Sequence, residues 1–190
     1  MKKDNIHLLN KIVTAKSNEL GFEIMKPKHS DSVVSILRDK VHLFIEMHSP
    51  IVTSLPLQMS ICVEDDAVRT LLFPSPIIIN SGNVCQFVRL SNVANQYLYR
   101  GNALGRFWVD EECFDLAYEL ILEEYLIEHY TKEIGKQLFD LPLAHFTDCH
   151  IPLLMLAKNT WKADTAMNYL KELRENGYID NQRYGLWYDL

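Results

Sequence analysis

"LQMSICVE", Leu57 to Glu64, alternates without a slip: Leu57, Met59, Ile61 and Val63 fall on one side, Gln58, Ser60, Cys62 and Glu64 on the other. Successive side chains of a strand point to opposite faces, so the stretch predicts a strand with one dry and one wet face. "VHLFIEMH", Val41 to His48, repeats the pattern, with Val41, Leu43, Ile45 and Met47 inward and His42, Phe44, Glu46 and His48 outward. "SVVSILR" at 32–38 reads as a strand before it, turning at Asp39-Lys40. "AVRTLLF" at 67–73 reads as a strand after it, stopped by Pro74 and Pro76. Four such strands in succession predict an antiparallel meander.

Helical patterns flank the meander. Asp4 is placed to cap a first helix with Ile6, Leu9, Ile12, Val13 and Leu20 on its apolar stripe, closed by Gly21. "GFEIM" then reads as extended, and Pro27 excludes helix. A second helix is expected over 83–99, with Gly82 and Asn83 as start signals and Val84, Phe87, Leu90, Ala94, Tyr97 and Leu98 facing the core. The turn "RGNALG" leads to strands "RFWVD" and "CFDLAYEL", with Phe107, Val109, Phe114, Leu116, Tyr118 and Leu120 inward. From about Glu123 the periodicity is helical. Pro142 and Pro152 are expected to break it up, and a last helix over 162–177 closes at Gly177. The aromatic tail "YIDNQRYGLWYDL" is expected to pack back on the body.

The fold class that follows is α+β: an antiparallel sheet covered by helices in the order α-β-β-β-β-α-β-β-α, with a C-terminal helical extension. Residues 1–127 form the sheet domain in this reading, and 128–190 are the extension packed on it.

Composition limits the functions open to this fold. A net charge of −6 gives no basic face for general phosphate-backbone binding. "MKKDNIHLLNKIV" lacks the continuous apolar run of a signal peptide, and "IPLLMLA" is too short to span a bilayer. Cys62, Cys85, Cys113 and Cys149 form no C-x-x-C pair, which fits free thiols in the cytoplasm.

Candidate chemical sites are few. His42, Glu46 and His48 share a strand face, yet zinc wants three ligands and an oriented second shell, and no H-E-x-x-H is present. In "HFTDCH", His145 and Cys149 would share a helix face at i, i+4. The reading preferred there makes Asp148 an N-cap of a helix containing Pro152, and Cys149 a small core residue. No metal and no cofactor is expected. "NSGN" at 80–83 is not a nucleophile elbow, and no glycine-rich phosphate loop occurs, so no catalytic residue is assigned. "AMNYLKELRENGYI", Ala166 to Ile179, resembles a recognition helix and first wing strand. Lys162, Lys171, Arg174 and Arg183 would be its charges, but its partner helix is poor.

The run "FVRLSNVANQYLYRGNALGRFWVDEECFDLAYEL" resembles the YbjN group, whose fold is shared with type III secretion chaperones, and the resemblance covers about residues 4–124. It implies protein binding without catalysis, dimerisation through a helix, and a partner chain held on the sheet. One oddity agrees with it: Phe44 and Trp108 fall on the wet face, and a soluble protein rarely leaves such rings bare. Either the C-terminal helices roof them, the reading favoured for Trp108, or they hold a partner, the reading kept for Phe44. The sequence thus predicts a cytoplasmic, non-enzymatic, chaperone- or adaptor-like protein binder that forms a homodimer. Its competitor is a DNA-binding regulator using 163–180.

Overall fold

The computed structural model describes residues 3–21, 34–37, 40–47, 57–63, 67–74, 77–97 and 103–186. The stretch expected to be extended at 22–26, Pro27, Asp39, His48, Glu64, Pro76, Leu98, Tyr99 and the tail from 187 lie outside them, as do the side chains of β1 and β2. Helix α1 (Lys3–Leu20) precedes strands β1 (Val34–Leu37), β2 (Lys40–Met47), β3 (Leu57–Val63) and β4 (Ala67–Pro74). Helix α2 (Val84–Tyr97) and strands β5 (Arg106–Asp110) and β6 (Asp115–Glu123) follow. Then come α3 (Glu124–His129), α4 (Thr131–Gly135), a π-helical turn (Lys136–Asp140), α5 (Leu141–Ala157), α6 (Ala163–Asn176) and α7 (Asn181–Tyr184). The expected α+β order is the observed one.

Among the described residues the strands form a single antiparallel sheet, ordered β1-β2-β3-β4-β6-β5. Its register aligns the dry set: Met59 faces Leu72, Leu72 faces Tyr118, and Tyr118 faces Phe107 across neighbouring strands. All four are buried, as are Ile61, Val68, Leu116, Leu120 and Leu122. They share one buried cluster with Leu9 and Val13 of α1, Phe87 and Leu90 of α2, Phe146 and Leu153 of α5, and Leu170 of α6. The helices therefore bury their stripes against one face of the sheet. Ring edges lock the junction: Phe107 meets Phe146 at 5.1 Å and Tyr118 at 5.4 Å, both edge to face.

Several boundaries differ from expectation. Helix α1 begins at Lys3 and already contains Asp4, while Gly21 closes it at φ 72°, as Gly177 closes α6 at φ 61°. Lys40 pairs with Leu37 and so belongs to β2 rather than to the turn. Cys113 and Phe114 are not strand; they complete the loop between Asp110 and Asp115, which pair directly. The Asp110 carboxylate accepts the Glu112 and Cys113 amides at 2.8 and 2.9 Å, and Phe114 takes φ 58° to return the chain. Asn83 does precede α2, but its side chain reaches back into the loop, accepting the Asn80 amide and donating to the Ile78 carbonyl.

Pro152 does not break the C-terminal region. It sits buried inside α5, and Pro142 follows the π-helical turn within a helical run that continues from Thr131 to Ala157, so neither proline ends it. The apolar contacts around Phe146, Cys149, Leu153 and Leu156 hold the helix across the lost hydrogen bond. Asp148 is mid-helix, not an N-cap. The tail does pack back as far as it is described. Tyr184 is buried against Trp161 and Tyr169, with ring centroids 5.4 Å from each, and the Trp161 indole donates to the Tyr184 carbonyl at 3.2 Å.

Candidate functional site

Because the helices share one face, the other face of the sheet has no described helix on it. A continuous cross-strand row runs Phe44, Ser60, Leu71, Glu119, Arg106, each opposite the next. The neighbouring pair on β5 and β6 is Trp108 opposite Ala117. Trp108, Leu71 and Phe73 are half-buried and lie outside the core cluster, and Ile121 is 56% exposed. The C-terminal helices do not roof Trp108. Helix α5 brings Phe146 and His145 against Phe107 and Tyr118, whose neighbours Trp108 and Ala117 point the opposite way by strand alternation. The strand that carries Phe44 stands four strand spacings from that of Trp108, roughly 19 Å.

The centre of this face is charged. Glu119, 8% exposed, accepts two hydrogen bonds on Oε1 from Arg69, from Nη2 at 2.7 Å and Nε at 3.0 Å. Arg106 Nη2 approaches Oε2 at 3.4 Å. The Arg69 fork removes most of the cost of burying the carboxylate, since a charge-assisted pair of this geometry is among the stronger hydrogen bonds.

The sheet edge beside Trp108 is closed. Asn95 of α2 donates Nδ2 to the Phe107 carbonyl at 2.9 Å, and its Oδ1 accepts the Phe107 amide at 2.7 Å. One side-chain amide thereby occupies the outward N–H and C=O of Phe107, two of the backbone groups that an added strand would use. Sequence reading missed Asn95, and nothing in an asparagine on a helix signals this role.

The chemical candidates are dispersed. His42 and Glu46 lie four residues apart on β2, about 13 Å at strand rise. His145 is buried with Nδ1 2.9 Å from the Tyr118 hydroxyl, Cys149 is buried in the core, and the His150 Nδ1 lies 2.7 Å from the Thr147 carbonyl in its own helix. Among the described residues no three His, Cys, Asp or Glu side chains are grouped to hold a metal. A cleft between α2, β5 and α5, lined by Asn95, Gly105, Phe107 and His145, encloses about 160 Å³. That is below the roughly 300–1,000 Å³ of small-molecule sites. Gly105 is required beside it, because a Cβ there would run into the Tyr118 ring and the Glu119 carbonyl.

Burial pushes the Cys149 thiol well up, with Asp148 adding to it, whereas Asp110 is the main cause that raises exposed Cys113. Alkylation with iodoacetamide under native conditions should label Cys85 and Cys113, both exposed, with Cys113 slowed by its raised pKa, and spare buried Cys149. Peptide mapping reads this out, and early labelling of Cys149 would mean that α5 opens.

The segment considered for DNA is engaged within the protein. The first amide of α6, on Ala163, donates to Gln86 Oε1 of α2 at 3.2 Å, and Asp164 pairs with Arg89. A recognition helix needs that N-terminal turn free for base edges. Lys162, Lys171 and Arg174 are exposed, but Glu172 and Glu175 share the helix with them, and Arg183 pairs with Glu172 at 3.2 Å. The residues after α6 lead into α7 instead of a wing strand. No described helix is long and apolar enough to cross a membrane.

Compared with family models, curated proteins and solved structures, the chain matches none.

Proposed function

We propose that the chain is a non-enzymatic protein binder, chaperone- or adaptor-like, that works in the cytoplasm as a homodimer without a cofactor. Its likeness to the YbjN group and type III secretion chaperones belongs to this proposal and rests on the element order. The observation that carries the reading is the second sheet face, where Trp108, Leu71, Phe73 and Ile121 remain wholly or partly exposed and no described helix covers them. Apolar surface left on one side of a sheet whose other side is packed marks a docking surface. Aromatic anchors of this kind dominate interface energetics.

Trp108→Ala separates docking from packing. Trp108 is half-buried and outside the core, so its loss should cost about 1 kcal/mol or less. Chains that co-purify with the wild-type protein from native lysate should be lost from the variant. A full set of co-purifying chains on Trp108→Ala would remove this face from the function. Sedimentation equilibrium tests the dimer separately.

A further inference from the structure

On β4, β5 and β6 the open face carries four carboxylates, Asp110, Asp115, Glu119 and Glu123, against two guanidiniums, Arg69 and Arg106. Both guanidiniums bind Glu119, so the unmatched charge lies at the strand ends. At one end Asp110 stands directly opposite Asp115 across the β5–β6 pair, and the next pair on this face is Trp108 opposite Ala117. Like charges directly opposite on a sheet repel. Among the described residues neither aspartate has an ion-pair partner. The Glu112 and Cys113 amides on Asp110 Oδ1 favour its charged form, and exposed Glu111 and Glu112 lie in the loop between the two aspartates. The end of the face beside Trp108 is therefore anionic, in a chain of net charge −6.

From this pairing we propose that the open face takes a basic, amphipathic peptide segment, with a Lys or Arg side chain seated between Asp110 and Asp115 and an adjacent apolar side chain on Trp108. The inference rests on the protein-binding reading above and specifies its partner. Directly opposed strand positions hold their Cβ atoms about 5 Å apart, so one cation reaches both carboxylates and removes their repulsion. The neighbouring indole favours the same occupant, because a cation is attracted to the face of a Trp ring. Leu71, Phe73 and Ile121 continue the apolar surface away from that seat. A metal ion is the poorer occupant, since no third ligand is grouped with the two aspartates among the described residues. A second copy would set the same excess of carboxylates against itself. Nucleic acid and anionic bilayers are repelled by this face and by the chain as a whole.

The test pans a random peptide library on the full chain and measures the selected peptides on Trp108→Ala, Asp115→Asn and Glu123→Gln. Enriched sequences should carry Lys or Arg beside aromatic or aliphatic residues. They should lose binding on Trp108→Ala and weaken about tenfold on Asp115→Asn, the worth of one charge-assisted contact. Glu123→Gln, at the far end of β6, should change little. Asp115→Asn leaves the Asp110 turn intact and should melt with the wild type or slightly above it, which separates lost recognition from lost folding. Trp108-dependent peptides that are neutral or acidic, or that ignore Asp115→Asn, would overturn the basic partner and leave the docking face standing. Equal weakening on Asp115→Asn and Glu123→Gln would assign the attraction to overall charge and overturn the seat. Peptides indifferent to Trp108, or none enriched, would sink the docking face itself. Self-association lost on Asp115→Asn would give this end of the face to a second copy and overturn the proposal.

Discussion

Ile61→Asp should abolish cooperative unfolding at neutral pH, leaving a chain without a thermal transition. Ile61 is fully buried in β3, paired with Leu43 on β2 and Thr70 on β4, and belongs to the cluster that joins sheet to helices. Removing the side chain forfeits about 2–5 kcal/mol of packing. Desolvating a carboxylate adds several more, because no described cation lies on this face of β3 or β4. The sum approaches the whole stability of a typical domain, roughly 5–15 kcal/mol. Ser60→Asp is the control, one residue away on the other face. Ser60 is half-buried opposite Leu71, so its variant should melt within about 1 kcal/mol of the wild type. Equal melting of Ile61→Asp and wild type would mean that the two faces of β3 had been exchanged.

That prediction follows from the alternation in "LQMSICVE", and the sheet was legible for the same reason. A period of two can be buried only by a strand, and four such stretches left little freedom in the order of the elements. What escaped the sequence depended on partners distant in the chain or on competition within a turn. Cys113 and Phe114 have strand-like side chains, yet the Asp110 carboxylate captures the amides at 112 and 113 and makes a loop of them. Pro152 removes one hydrogen bond from α5, and the sequence does not reveal the buried contacts along that helix, which continues past it to Ala157. Alternation divides a sheet into two faces but does not say which one the later helices will cover. Trp108 was therefore legible as a wet-face residue, while its lack of a roof was not. Asn95 is the extreme case: its role exists only once α2 lies along β5.

Phe146→Ala should destabilise the chain by about 3–5 kcal/mol, as a large-to-small change at a fully buried position does. For a chain of this length that lowers the melting temperature by on the order of 10 °C. The residue belongs to the C-terminal helical region, and its weight there decides whether that region is an appendage or part of the fold. Its ring stands edge-on to Phe107 at 5.1 Å and lies 6.4 Å from Tyr118, so truncation opens a cavity against β5 and β6. The buried His145–Tyr118 pair borders the same space and cannot relax into it without stretching its 2.9 Å contact. Tyr178→Ala, at a ring that is 67% exposed after α6, provides the comparison and should change stability little. A melting temperature for Phe146→Ala that stays with Tyr178→Ala would mean that α5 contributes nothing to the sheet's core. The expected large drop would mean that residues 3–123 need the helices after them to close their dry face. The docking proposed above would then fall to the face that carries Trp108, where a partner would bind without displacing any described helix.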